Sequence, residues 1–173
     1  EGASSVIIDL RANGGGYIRA ATDMIDRFLD EGLGIVYTEG KASPRRNYMS
    51  KYDGEYRNWP MAVLIDESSA SASEIFAGAM QDNDRGLIVG RRSFGKGLVQ
   101  EEFEVPNSNE GSGALRLTVA RFYTPSGRAI QKPYGEGIDY AHDFEDRLES
   151  GELFLEDSVL KTDSVVYRTL LGR

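Results

Sequence analysis

Cysteine is absent from this 173-residue chain, and histidine occurs once. The first absence excludes disulfides, thiolate catalysis and Cys-ligated zinc together. The second leaves a Ser–His–Asp triad only His142, which lies in a polar stretch between Ala141 and Asp143 with no motif around it. Positive charge is also short: 20 Lys and Arg against 28 Asp and Glu give a formal charge of −8. Such a surface repels a phosphate backbone and anionic lipid. No run reaches the roughly 18 apolar residues that a membrane-spanning helix needs. No leader is visible, and both ends read as cut: a strand begins at Val6, and Leu170–Leu171 near the other end is still apolar.

What is present suits a single domain with a real core, since 40% of residues are hydrophobic. Val6–Leu10, Gly34–Thr38, Met61–Ile65 and Gly86–Gly90 read as short strands, the apolar β-branched runs as buried ones. Ala20, Ala21, Met24, Ile25, Phe28 and Leu29 fall at helical spacing, with Gly32 closing that helix. Ile75, Phe76, Ala79 and Met80 form a second helical face. Lys41 to Trp59 has no clear period and reads as an irregular loop with a short extended piece. Leu98–Val105 alternates as a strand and Ala114–Thr124 is a longer one, followed by a turn at Pro125–Ser126–Gly127. The acidic tail from Gly135 reads as loop plus a helix around Phe144 to Leu155. The rhythm is α/β, and the loops after the strands at Gly14 and Ser68 are where such folds place their sites.

Three segments could carry chemistry. In Asp66–Glu67–Ser68–Ser69–Ala70–Ser71–Ala72–Ser73–Glu74, a serine sits between a strand and a helix start among small residues. Helix N-terminal N–H groups suit a developing oxyanion. Alone, the segment favours a plain capping box, Ser71-x-x-Glu74. In Phe94–Gly95–Lys96–Gly97–Leu98–Val99–Gln100, glycines on both sides let the lysine approach another backbone. A lysine base must be neutral, which burial promotes, and Lys96, Leu98 and Gln100 would share one face of an extended strand. The bland reading is a solvated turn lysine. A P-loop is excluded because its full pattern is missing and no helix follows. In Asp9–Leu10–Arg11–Ala12–Asn13–Gly14–Gly15–Gly16, consecutive glycines after a strand expose N–H groups, as a ligand nest or a tight turn would.

In order and spacing, these segments and Thr118–Gly127 together resemble the C-terminal processing (tail-specific) serine peptidases, a family with a Ser–Lys dyad (S41). The resemblance runs to about Pro133; the tail from Tyr134 is similar to Bacteroidetes-type members. It implies Ser71 as nucleophile, Lys96 as general base and Gln100 as the residue that orients the lysine. It also implies an oxyanion hole from Gly15 or Gly16 with Ala72, and neither metal nor cofactor. The implied fold is a crotonase-like (ClpP/crotonase) α/β core, a mixed sheet with flanking helices. Because the chain begins at the Asp-Leu-Arg motif, residues 1–173 read as a truncated catalytic core, incomplete at both ends, without the PDZ domain and upstream core segments of that family. Implied substrates are proteins with apolar C-terminal tails, in a periplasmic or cell-envelope setting. Two other readings share the fold. An intact Ser71, Lys96 and Gln100 argue against a catalytically silent peptide-binding relative. An acyl-CoA enzyme would need a nucleotide site and a carboxylate base, and neither motif is present.

Overall fold

A computed structural model describes residues 2–107, 111–154 and 165–173. In chain order the elements are β1 (Val6–Asp9), α1 (Ile18–Ile25), β2 (Gly34–Glu39), β3 (Arg46–Met49) and β4 (Met61–Ile65). They continue with α2 (Ala72–Asp82), β5 (Leu87–Gly90), β6 (Leu98–Asn107), β7 (Gly111–Tyr123) and α3 (Asp143–Glu149).

The expected mixed sheet resolves into two. One is wholly parallel, in the order β1-β4-β5; the other is wholly antiparallel, in the order β3-β2-β7-β6. The reason lies in the connections. Parallel neighbours need long crossovers, and β4 reaches β5 through α2, whereas β2–β3 and β6–β7 are joined directly and must run antiparallel. Helix α2 lies between the sheets, packing on β5, on β2 and on α1. Every residue from Ser73 to Met80 is buried. Its apolar side meets Ile25, Leu29, Ile35 and Val63, all at most 1% exposed. Each such side chain contributes roughly 1.5–3 kcal/mol by burial, so α2 and the loop that feeds it are held by the buried core.

The first helix ends earlier than its spacing suggests. α1 stops at Ile25, and Arg27 and Phe28 continue in three-residue turns on the carbonyls of Met24 and Ile25. The loop before β4 causes this. Asp26 Oδ1 accepts the Lys51 N–H (2.8 Å), Leu29 O accepts the Gly54 N–H (2.8 Å), and a Cβ on Gly54 would sit 2.5 Å from the Arg27 carbonyl. The extended piece within Lys41–Trp59 is β3. α3 covers the start of the expected tail helix, and residues from Leu155 to Ser164 lie outside the described residues.

Candidate active site

The end of β4 feeds Ser71 into α2, and the end of β1 feeds the glycine run beside it. Asp66, just after β4, joins the two loops. Its carboxylate accepts the N–H of Ala12 (3.0 Å), of Ser68 (3.0 Å) and of Ser69 (3.1 Å). Burial pushes the Asp66 carboxyl up, but these hydrogen bonds outweigh it and hold the group below the usual carboxylate value. Asn13 adds a second set of ties. Its carbonyl accepts the Ala70 N–H (3.0 Å) and the Ser73 hydroxyl (3.0 Å), while its side-chain oxygen accepts the Gly15 N–H (2.9 Å). Ser69 Oγ closes the seam by donating to Leu10 O (2.7 Å).

Between these ties Ser71 adopts φ 58°, ψ −116°, a conformation that costs a non-glycine residue of order 1–3 kcal/mol. Space for it comes from Gly15, itself at φ 90°: a Cβ there would lie 2.5 Å from Ala70 O, 2.6 Å from Ala72 N and 2.8 Å from Ser71 Cβ. Half-buried Ser71 opens on a cleft of about 240 Å³ shared with Gly16, Ile18, Ala72, Ile75 and Gln100. Ala72 is the first residue of α2, so its N–H has no partner inside the helix. Among the described residues neither that N–H nor that of Gly16 is engaged. The Gly15 N–H, by contrast, is already given to Asn13.

The lysine segment meets the serine segment at Glu74, which is 6% exposed. Its Oε2 accepts the N–H of Ser71 and the N–H of Lys96, both at 2.8 Å. Its Oε1 accepts the N–H of Gly95 (2.6 Å) and the Ser93 hydroxyl (2.7 Å). One carboxylate oxygen therefore ties together the backbones of the two residues singled out for chemistry. The flanking glycines do let the loop approach another backbone. Gly95 O accepts the Lys132 N–H (2.9 Å), the Gly97 N–H donates to Gln131 Oε1 (2.9 Å), and a Cβ on Gly97 would sit 2.5 Å from Gln131 N.

Over residues 1–141 the chain matches the sequence model of Peptidase family S41. The chain belongs to that family. The carboxyl-terminal-processing protease of Picosynechococcus sp. is 40% identical to it over 132 residues, which are 76% of this chain and 30% of that protein. The carboxy-terminal-processing protease of Bartonella bacilliformis is 44% identical over 129 residues, covering 72% and 28%. Among solved structures, the photosystem II D1 C-terminal processing protease matches with a TM-score of 0.66 at 38% identity, over 75% of this chain and 32% of that one. The chain thus spans just under a third of the length of these relatives.

Within this S41 chain, Ser71, Ala72, Gly16 and Gln100 line one cleft. Lys96 does not share its lining, and its side chain is exposed rather than buried. The physical reason is that Lys96 precedes β6 instead of lying within it. Its backbone is locked by Glu74 while its side chain points away from the packed interior. The face expected to be common to Lys96, Leu98 and Gln100 is also broken by an irregularity in the β6–β7 pairing at Val99/Gln100. His142 is exposed and pairs with Asp139 (Nδ1 to Oδ2, 2.8 Å), outside the cleft lining. Three residues that organise the site were not singled out for this work: Asn13, Asp66 and Glu74. Asn13 lies inside the Asp-Leu-Arg-x-Asn motif, Asp66 at the head of the serine segment and Glu74 inside the capping box. Nothing local announced that Glu74 would also collect donors from residues 93–96.

Proposed function

We propose that this chain is the catalytic part of a serine endopeptidase that cleaves proteins near their C-termini. The observation that carries the reading is Ser71, held in a left-handed conformation at the first turn of α2 and facing a cleft with two unengaged N–H donors. Lys96 acts as general base and Gln100 orients its amine. No carboxylate among the described residues pairs with Lys96: the acids nearby serve Arg91, Arg92 and Lys132 instead.

In the reaction, neutral Lys96 takes the Ser71 hydroxyl proton as Oγ bonds to the scissile carbonyl carbon. The resulting oxyanion accepts hydrogen bonds from Ala72 and Gly16; the prior engagement of Gly15 favours Gly16 as the second donor. Collapse breaks the C–N bond, and Lys96 passes the proton to the leaving amine. Water then cleaves the acyl ester, releasing a carboxylate and restoring Ser71. Each oxyanion donor is worth roughly 3 kcal/mol of barrier.

The crotonase-like assignment of the core belongs to this proposal, and the match to the D1 processing protease supports it. So do substrates with apolar tails presented by a PDZ domain of the whole protein, and a periplasmic or cell-envelope setting. Relatives named as processing proteases from bacteria and chloroplasts support action at a C-terminus; the tails, the PDZ domain and the setting follow from the family resemblance.

A fluorophosphonate probe tests the assignment. The expected result is covalent labelling of Ser71 that is lost in Ser71→Ala and strongly reduced in Lys96→Ala. Labelling and peptide hydrolysis should both rise with pH, because an amine accepts a proton only when uncharged. Near-normal turnover by Lys96→Ala, or full activity at pH 5, would remove the dyad. A folded protein that binds peptides but is never labelled would be the silent relative.

A further inference from the structure

The matched family region ends at residue 141, yet the lysine loop is held from its far side by residues beyond it. α3 lies next in the chain, and Arg147 in its last turn is only 4% exposed. The guanidinium points into the loop that precedes Lys96. Nη2 donates to Arg92 O (2.6 Å), Nη1 to Ser93 O (3.3 Å) and Nε to Glu152 Oε1 (2.9 Å). Glu152 is fixed in turn by Arg92, whose Nε and Nη2 donate to its two oxygens at 2.8 and 2.9 Å. A second contact runs parallel to the first. Lys132 Nζ pairs with Asp143 Oδ2 of α3 (2.9 Å) and lies 4.4 Å from the centre of the Phe94 ring.

The consequence is a continuous connection. A planar guanidinium bonded to two successive carbonyls holds the Arg92–Ser93 peptide and the one that follows it. Ser93 lies between them; its hydroxyl donates to Glu74 Oε1, and Glu74 collects the N–H groups of Ser71, Gly95 and Lys96. We propose that α3, through Arg147, is a positioning element of the active site: it pins the Arg92–Ser93 peptide and so sets the Lys96 loop on Glu74. Arg147 touches neither substrate nor the reacting atoms. The inference rests on the reading of Ser71 and Lys96 as the reacting pair.

A helix that merely caps the end of the domain would lend general stability and leave the loop unchanged. The 173-residue chain carrying Arg147→Ala separates the two by hydrogen exchange at individual amides and by the rate of Ser71 labelling with a fluorophosphonate. The expected result is at least a tenfold loss of protection at Gly95 and Lys96 with protection of Phe76 and Met80 in α2 unchanged. Ser71 labelling should slow by at least threefold, with partial recovery in Arg147→Lys, which keeps the charge but lacks the planar fork that holds both carbonyls. Unchanged protection at Gly95 and Lys96 would overturn the proposal, and so would lost protection with an unchanged labelling rate. If Arg147→Ala does not fold, Glu152→Gln decides. It leaves Arg147 in place but unsteadied, and should give a smaller loss at the same two amides; no loss there overturns the proposal. A wild-type chain that is never labelled would sink the peptidase reading, and exchange at Gly95 and Lys96 would still decide whether α3 holds the loop.

Discussion

The serine side and the lysine side of the candidate site are built differently. Ser71 stands at the junction of β4 and α2, over side chains that are almost fully buried, and its loop is stitched to the glycine run by Asp66, Asn13 and Ser69. Lys96 stands in a loop with no strand or helix of its own, its side chain exposed, and the loop is held by polar contacts from outside: Glu74, Gln131, Lys132 and Arg147. Ser71 is thus positioned by the core, whereas Lys96 is positioned by clamps. Interiors are close-packed and yield little. Clamps can be loosened one at a time. Damage to the serine side should therefore be all-or-none, and damage to the lysine side graded.

The largest effect should come from Gly15→Ala. A methyl group there would meet Ala70 O, Ala72 N and Ser71 Cβ, all within 2.8 Å, at φ 90°. Backbone on one side and Ser71 on the other leave it nowhere to go. The expected outcome is a loss of Ser71 labelling of about 10²–10³-fold, the size of losing an oxyanion donor, with the fold retained by circular dichroism. A variant that labels normally would show that the serine side is softer than its packing implies.

The sequence carried the serine side well because its signals are local. The β-branched runs at Val6 and Met61, the triple glycine and the Ser/Ala turn each lie within a few residues of what they position. The lysine side is built from contacts between distant segments. Glu74 reads as a helix cap, and one of its four hydrogen bonds is indeed a cap, since it accepts the Ser71 N–H. Its other donors lie about twenty positions on, where no periodicity links them. The same limit explains the shortened α1, whose last turn is claimed by Lys51 and Gly54. It also explains the two sheets, because strand order depends on how connections cross rather than on how any strand reads. The exposed side chain of Lys96 follows from the same cause: its neighbours in space are set by its backbone bonds, not by the strand face assumed for it.

Glu74→Gln sharpens the contrast because Glu74 serves both sides. The amide keeps the size but replaces one acceptor oxygen with a donor, which must then face N–H or O–H groups. Each unsatisfied buried donor costs roughly 1–3 kcal/mol, and displacement of a reacting group by about 1 Å can cost 10²-fold in rate. The variant should lose stability by about 1–3 kcal/mol in urea unfolding. It should also lose kcat more than it raises KM. Asp66→Asn, which touches only the serine side, is the control. If the two variants lose kcat equally with no difference in hydrogen exchange at Lys96, the lysine loop is not held by Glu74.

The smallest effects should come from the exposed ion pairs at the margins of the two regions. At the start of the glycine run, Arg11 donates to both carboxylate oxygens of Asp9 (2.9 and 2.7 Å), and these bonds bring the Asp9 pKa from 3.8 to about 2. A depressed carboxyl adds stability above its unfolded value, so the contribution is complete above about pH 4 and fades as pH falls toward 2. On the tail, the hydrogen bond to Asp139, aided by attraction to Asp139 and Glu145, raises the His142 pKa above 6.5. The sign is then opposite: the contribution is complete below pH 6.5 and is lost as pH rises through the folded value. His142→Ala should accordingly match the wild type in thermal stability at pH 9 and fall slightly below it at pH 5.5, while Arg11→Ala should differ at pH 6 and converge with the wild type near pH 2. Both pairs are solvated, so the shifts should be small next to that of Glu74→Gln. A shift as large as that variant's would mean that exposed pairs at the margins matter as much to stability as the buried clamp at Glu74.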